Sequence, residues 1–339
     1  MKKKFAMLLN FGLLTGLFAA NPPLADKAQY KITTIKSLNL NLSWEEVQIN
    51  PISGNELKVE IYCNKKRFVP SVSISSNTLV IKSAPSQYTL LPEYKNCTVI
   101  LNIPETSKFD SVDIGVTSGE VTCNYNFNAE LVRFDSTSGE ISIAEVKAKT
   151  FTIDSTSGNV KTEKIVSQTI DARCTSGSIM CKGFTGNRAT FKTTSGSIRL
   201  KNINTNELIC SSTSGMVSLD ESACDMFNVS TTSGSVGLEL LRAPKDSSKA
   251  TSTSGLVFLS LPEDSRLNLN VSTTSGSFTN AITREKLSSH VDYSAQINGG
   301  GTKIILSSTS GNITLDKGSL TSADPVPVIN FESPIFDGI

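Results

Sequence analysis

The sequence predicts an all-β fold, a single-stranded parallel β-helix (β-solenoid) with coils of about 19 residues. The tripeptide Thr-Ser-Gly recurs ten times, mostly at intervals of 19 to 21 residues. Residues two and four positions after each glycine are mostly apolar, the alternation of a strand with one buried face. A second alternating stretch follows in five consecutive units, as in Phe151/Ile153. Units this short bury their apolar faces only by stacking, and by analogy with parallel crossovers we expect a right-handed coil.

Each Thr-Ser-Gly tripeptide is predicted to form a corner of the coil. Glycine adopts a positive φ without steric cost, and a sharp corner often needs one. The Ser and Thr hydroxyls can bond to nearby backbone or to the same residue one coil away. The alternative is a flat Thr/Ser face that binds ice or glycan, but the need for glycine favours the structural interpretation. The predicted corner glycines are Gly119, Gly139, Gly158, Gly177, Gly196, Gly215, Gly234, Gly255, Gly276 and Gly311.

Residues 1–25 are predicted to be a signal peptide. Lys2, Lys3 and Lys4 precede an apolar stretch at 5–18, and small residues follow it. The stretch is shorter than the roughly 20 residues of a membrane-spanning helix, although an uncleaved anchor is the alternative. We therefore expect an exported protein that is periplasmic, on the cell surface or secreted, with no transmembrane segment after cleavage.

The rest of the chain divides into three predicted regions. Residues 26–116 alternate less regularly and are expected to form irregular N-terminal β-coils, with a separate small β-sandwich as the alternative. Residues 117–316 form the regular Thr-Ser-Gly solenoid, interrupted before Gly311 by a loop or an extra coil that contains His290. Residues 317–339 are expected to be a tail or cap, because open solenoid ends invite other strands.

The repeats resemble a known group of proteins. Units of the form Thr-Ser-Gly-x-Ile/Val-x-Leu run from Thr117 to Leu315, and the segment Val-Ile-Leu-Asn-Ile-Pro at 99–104 precedes them. In these features the chain resembles bacterial putative-adhesin families of unknown function, which are secreted β-solenoid proteins. The resemblance implies the architecture and, more loosely, adhesion, and it carries no catalytic residue to transfer. The sequence departs from surface-anchored relatives in lacking a recognisable wall-sorting signal.

Composition excludes several classes of function. The chain has 32 Lys+Arg against 31 Asp+Glu, so it lacks the basic excess that binds nucleic acid. A single histidine leaves no multi-histidine metal site, and a solvated loop residue is the favoured interpretation of His290. We expect no cofactor and no metal.

Four carboxylates form a candidate acidic patch. Asp135 and Asp154 should be neighbours on adjacent coils, as should Glu120 and Glu140. Such a patch could bind Ca²⁺ or supply an acid/base pair. We favour a solvated column in which Asp154 forms a surface ion pair with Arg173.

The seven cysteines leave at least one thiol unpaired within the monomer. Cys63 and Cys97 are a candidate disulfide in an oxidising compartment. The solenoid cysteines, Cys123, Cys174, Cys181, Cys210 and Cys224, are expected to pack as small hydrophobic residues.

These observations predict a non-enzymatic exported envelope or surface protein, an adhesin or binding scaffold whose Ser/Thr-rich faces bind a protein or glycan or self-associate. One alternative is a carbohydrate-active enzyme, which would need clustered carboxylates and aromatic sugar platforms in a groove. The other is a periplasmic scaffold that polymerises end to end, which uncapped terminal coils would favour.

Overall fold

A computed structural model describes residues 22–85 and 94–318 as bent β-strands stacked around one continuous core. The N-terminal strands are β1 (Leu24–Lys31), β2 (Ser37–Leu42), β3 (Glu46–Ile52), β4 (Glu56–Cys63), β5 (Ser71–Ser75), β6 (Thr78–Lys82), β7 (Cys97–Pro104), β8 (Phe109–Val116) and β9 (Val121–Cys123). The middle strands are β10 (Phe127–Ser136), β11 (Ile141–Ser155), β12 (Val160–Cys174), β13 (Ile179–Thr193), β14 (Ile198–Ser212) and β15 (Val217–Thr231).

The C-terminal strands are β16 (Val236–Leu240), β17 (Ser248–Ser252), β18 (Val257–Leu261), β19 (Leu267–Thr273), β20 (Ser277–Asn280), β21 (Glu285–Ser288), β22 (Val291–Ile297), β23 (Thr302–Ser308) and β24 (Ile313–Lys317). Two 3₁₀ turns, Ile32–Thr34 and Lys66–Phe68, are the helical segments of the described residues. None of the helices described is long and apolar enough to cross a membrane. The predicted signal peptide up to residue 21 and the predicted tail from residue 319 lie outside the described residues.

The middle strands confirm the predicted parallel β-helix. Each of β11 to β15 covers almost a whole coil and pairs in parallel with the next, 19 residues further on, as Ile141 pairs with Val160 and Val160 with Ile179. Inward residues stack into columns, and the rings of Phe134 and Phe151 lie 6.2 Å apart. The five solenoid cysteines are buried in this core, as predicted. Removing so many apolar side chains from water is the main force that holds the coils together.

The corner glycines are required for a different reason from the predicted one. Not one of the ten has a φ in the left-handed region, although all ten lie in the described part of the chain. A Cβ placed on Gly158 would instead overlap the carbonyl oxygen of Gly139 in the preceding coil, and the same overlap recurs along the column. Glycine is therefore needed because the coils approach each other too closely at the corner for any side chain.

The first coils are stacked out of chain order. Strands β2 and β3 form one coil, which lies between the coil of β8 and β9 and the coil of β6 and β7. In chain order, both of those coils come after β3. Antiparallel strands then close this end, because β4 pairs with β7, β1 with β4, and β5 with β6. Cys63 and Cys97 face each other across β4 and β7 and are disulfide-bonded, as the sequence allowed.

The last coils are also out of order. Strand β23 pairs with β17 and with β19, and β24 pairs with β18 and with β20, so the final coil of the chain is inserted one place before the end. Gly311 consequently stacks on Gly255, and Gly276 stacks on Gly311. Residues 281–301 form the antiparallel strands β21 and β22, which cover the outermost coil. The long interval between Gly276 and Gly311 therefore corresponds to the segment in which the chain crosses the end of the stack.

Glu45 ends the corner column at the N-terminal side. Ser118 donates its backbone N–H to Ser43, so Ser43-Trp44-Glu45 occupy the places of Thr-Ser-Gly in this coil. The Glu45 side chain is fully buried, and its Oε2 accepts hydrogen bonds from the N–H groups of Ser43 and Trp44 at 2.9 and 3.0 Å and from Ser83 Oγ at 2.6 Å. A carboxylate that accepts backbone N–H groups stabilises an otherwise unpaired turn.

Candidate functional site

A groove of about 700 Å³ runs along the rod beside the corners. One wall is the threonine that begins each corner, the other is the residue two positions before it, and the floor is the residue between them. Both walls gain one residue with each coil because the coils are in register. The lining comprises Asn41, Leu42, Gly115, Val116, Thr117, Asp135, Ser136, Thr137, Asp154, Ser155, Thr156, Arg173, Cys174, Thr175, Lys192, Thr193, Thr194 and Ser211.

The floor belongs to a column of buried residues directly before the corners, which we call the inner column. Its hydroxyls bond the glycine backbone: Ser212 Oγ donates to the carbonyl of Gly196 at 3.2 Å and accepts the N–H of Gly215 at 2.8 Å. Cys174 Sγ takes the same place, at 3.0 Å from the Gly177 nitrogen. From Cys174 onward the inner column therefore joins one coil to the next, whereas Ser136 and Ser155 donate to the glycine carbonyl of their own corner. Its members are Ser136, Ser155, Cys174, Thr193, Ser212, Thr231, Ser252, Thr273 and Ser308.

The threonine wall belongs to a second column, which we call the outer column. Its side chains are exposed, and within the described ranges their hydroxyls have no hydrogen-bond partner in the protein. Each hydroxyl can both donate and accept. The wall therefore presents one unengaged hydroxyl to the groove on every coil. The outer column is Thr117, Thr137, Thr156, Thr175, Thr194, Thr213, Thr232, Thr253, Thr274 and Thr309.

The opposite wall carries charges of both signs. Asp135 and Asp154 are paired neighbours on adjacent strands, and Arg173 and Lys192 follow on the next two coils. Arg133 binds both oxygens of Asp135 at 2.6 and 3.0 Å and lies 4.0 Å from Asp154. Partial burial raises the pKa of Asp154, Asp135 raises it further, and Arg173 and Arg133 oppose this.

The expected ion pair between Asp154 and Arg173 does not form. Arg173 instead binds both oxygens of Asp171, two residues away on its own strand, at 3.0 and 2.6 Å. The reason is geometric, because alternate residues on one strand point the same way and a long arginine reaches its neighbour easily. Arg133 and Asp135 repeat this arrangement two coils earlier.

The four predicted acidic residues are divided between two places. Asp135 and Asp154 line the groove, whereas Glu120 and Glu140 lie beyond the corner and outside the lining. Glu140 is 2.6 Å from Lys161 Nζ in an ion pair. Within the part of the chain described, no group of three or more His, Cys, Asp or Glu residues is arranged to hold a metal ion. His290 is exposed beside β22 and far along the sequence from the groove residues.

The inner column was missed by sequence reasoning, although its signal is present. A Ser, Thr or Cys precedes nine of the ten Thr-Ser-Gly tripeptides, so the repeated motif is four residues long. Its burial depends on the bend of the chain, which the alternation pattern does not report. The balance of charge in the groove likewise depends on the register between coils, because its two acidic and two basic residues come from four successive coils.

Comparison with known proteins identifies one family. The profile described as Toastrack DUF4097 matches residues 35–240 and, in an overlapping second match, 157–316. No protein with a curated description matches the chain.

Three solved structures are similar to this chain. A putative adhesin from Parabacteroides merdae is 12% identical, covers 87% of this chain and 96% of its own, and has a TM-score of 0.47. A putative lipid binding protein from Parabacteroides distasonis is 13% identical, with coverage of 87% and 97% and a TM-score of 0.46. A putative cell adhesion protein from Clostridium sporogenes is 10% identical, with coverage of 86% and 99% and a TM-score of 0.23. At such identities and TM-scores these proteins do not inform the function of this chain.

Proposed function

We propose that this chain, which belongs to the Toastrack DUF4097 family, is a non-enzymatic exported scaffold of the cell envelope or surface that binds its partner along the side of its β-solenoid. The observation that carries the proposal is the outer column. Threonine begins all ten corners, yet the close approach of the coils requires only the glycine. Hydroxyls that recur without a hydrogen-bond partner among residues 22–85 and 94–318 are available to a binding partner.

The rod is well suited to hold such a surface in place. Each middle strand is paired on both edges, and the inner column ties the corners together. A binding face supported by such a lattice loses little conformational entropy when a partner binds. An adhesin or binding scaffold needs this preorganisation more than it needs reactive groups.

An enzymatic role is less well supported by the groove. Hydrolysis of a glycosidic bond uses two carboxyl groups. One donates a proton to the leaving oxygen, and the other either attacks the sugar or activates a water molecule. Asp135, one of the two carboxylates in the groove, accepts hydrogen bonds from Nε and Nη2 of Arg133, which form a bidentate fork. Among the lining residues, all of them described, Asp154 alone is a carboxylate without such a fork, so the groove offers one available carboxyl group where the reaction needs two.

End-to-end polymerisation is also less well supported. Strands β4 and β5 at one end and β21 and β22 at the other run antiparallel to the coils they cover, and β1 lies outside β4. A second rod would meet these covering strands instead of a bare parallel coil, so it could not continue the register of the coils directly.

Export is supported by two features of the N-terminal part. The predicted signal peptide has a lysine start, an apolar run and small residues after it. The Cys63–Cys97 disulfide joins two buried residues, and such bonds persist in oxidising compartments outside the cytoplasm.

Protease digestion of intact cells tests the proposal. The protein would be detected by immunoblotting, beside a periplasmic and a cytoplasmic control protein. We expect the protein to be digested while both controls survive, or to become accessible together with the periplasmic control when the outer permeability barrier is opened. Digestion only after the cytoplasm is opened would overturn the proposal, because it would place the protein inside the cell.

A further inference from the structure

We infer that the groove binds an overall neutral glycan chain, lying along the axis of the rod. The inference rests on the proposed function and names its ligand. Four properties of the groove carry it: its length, its unengaged hydroxyls, its balanced charge and the absence of backbone groups open to pairing.

The length and shape of the groove require an extended ligand. Its charged wall has one residue on each of seven successive coils, from Asn41 to Ser211. Adjacent strands lie about 4.8 Å apart, so the wall is roughly 29 Å long. The surface is concave, because the two walls rise on either side of the inner column. A linear chain fits such a channel, whereas the flat face of a crystal such as ice does not.

The hydroxyls require a ligand that offers many donors and acceptors. Thr137, Thr156 and Thr175 present one hydroxyl per coil to the groove, and none is engaged by the described protein. A polyhydroxylated chain can pair with each of them in turn. The floor beside Thr137 and Thr156 is serine, Ser136 and Ser155, and the walls are polar, which disfavours a lipid chain or a row of apolar side chains as the ligand.

The charges require a ligand with little net charge. Asp135 and Asp154 occupy one half of the wall, and Arg173 and Lys192 the other. A uniformly acidic polymer would be attracted to one half and repelled by the other, and a basic polymer would meet the reverse. A neutral chain avoids both repulsions and can accept hydrogen bonds from Lys192, for which the structure gives no ion pair.

A polypeptide is disfavoured by the backbone below the groove. Extended peptides commonly bind by adding a strand to an open sheet edge. Here β10 to β14 are each paired on both sides, so no edge faces the groove. A peptide would have to leave most of its own N–H and C=O groups to water, whereas sugar hydroxyls pair with side chains directly.

Binding to a panel of neutral and acidic oligosaccharides, from disaccharide to octasaccharide, tests the inference. The tryptophan at position 44 is the only one in the chain and occupies the corner at the start of the groove, so its fluorescence offers a second readout. We expect neutral oligosaccharides to bind with an affinity that rises with chain length up to the length of the groove. The affinity should change less than about twofold between about 50 and about 500 mM salt, because no net charge is neutralised.

A matched pair of double variants locates the site. Thr156→Val/Thr175→Val removes two groove hydroxyls, and we expect binding about tenfold weaker or lost. Thr150→Val/Thr169→Val removes two hydroxyls outside the groove, from the strands β11 and β12 that directly precede Thr156 and Thr175, and should leave binding unchanged. Both proteins should keep the melting temperature of the parent.

Three results would overturn the inference: no neutral oligosaccharide binds, affinity is independent of chain length, or the two double variants bind alike. These results are separate from the test of the proposed function. A protein that protease reaches outside the cytoplasm but that binds no neutral glycan remains an envelope scaffold with another partner. A protein digested only with the cytoplasmic control overturns the proposed function even if it binds glycans in solution.

Discussion

The inner and outer columns are adjacent in sequence and both are rich in hydroxyl side chains, yet these hydroxyls differ in their burial and in their hydrogen bonds. The Ser212 hydroxyl is buried and bonds the backbone of two coils, whereas the hydroxyl of the exposed Thr213 beside it bonds no group of the described residues. The difference arises because neighbouring residues of an extended chain point to opposite sides. Identical chemistry therefore holds the fold together on one side of the corner and remains available to a ligand on the other.

Breaking the stack at a corner glycine should have the largest effect. In Gly158→Ala the new Cβ would overlap the Gly139 carbonyl oxygen, which is held in the corner by a hydrogen bond from Ser136 Oγ. We expect a loss of at least about 3 kcal/mol in the free energy of unfolding, or failure to fold. Gly237→Ala is the matched control, since its Cβ meets nothing within 4 Å, and it should stay within about 0.5 kcal/mol in urea unfolding. Equal stability of the two variants would refute the close-approach explanation.

Removing the cap of the corner column should have the next largest effect. Glu45→Ala leaves the N–H of Trp44 without its acceptor and the N–H of Ser43 with only Ser83 Oγ, and hydrogen bonds to a charged group contribute about 1.5–3 kcal/mol. We expect a loss of about 2–3 kcal/mol in thermal or urea unfolding. The exposed neighbour provides the control, because Glu46→Ala should cost less than about 0.5 kcal/mol. A stable Glu45→Ala protein would show that the cap is dispensable.

The comparison of the two columns can be tested directly within one corner. Ser212→Ala removes the partner of the buried Gly215 N–H, and an unsatisfied buried donor costs about 1–3 kcal/mol. Thr213→Val removes the exposed outer-column hydroxyl of the same corner and should change the free energy of unfolding by less than about 0.5 kcal/mol. Similar losses in the two variants would contradict the division between inner and outer hydroxyls.

The smallest expected effect concerns pH. Burial raises the pKa of Asp225, but hydrogen bonds from Lys245 and Arg242 outweigh it and hold that pKa below its usual range. A carboxyl group with a lowered folded pKa adds stability above its unfolded pKa, near about 3.9, and loses it as the pH falls through the folded value. Asp225→Asn should cost about 1 kcal/mol or less at neutral pH and reduce the loss of stability on acidification.

Asp246→Asn is the control for this measurement. Asp246 follows Lys245 in the bend before β17, but its contacts with Asp225 and Ser248 run through its backbone. Its stability curve between about pH 2 and about pH 7 should match that of the parent protein. If Asp225→Asn also matches the parent over this range, the ion pairs around Asp225 contribute nothing measurable.

The coil and its repeat could be predicted because both are local properties. Alternation of apolar residues in β11 to β15 fixes which side chains face inward, and the interval between glycines fixes the register. Adjacency of Asp135 and Asp154 follows from the same interval. The partner of Arg173 could not be predicted, because two carboxylates are within its reach and side-chain direction decides between them.

By itself the sequence determined the all-β class, the parallel stacking, the length of the coil and the glycine corners, since each depends on spacing along the chain. Tertiary structure alone decided the order of the terminal coils, in which β2 and β23 are inserted out of chain order and antiparallel strands close both ends. It also decided which hydroxyls are buried and that charges from four coils form one groove wall. The physical reason is that a repeat fixes how neighbouring coils pair, whereas the positions of the ends and the sharing of one surface depend on contacts between residues far apart in the chain.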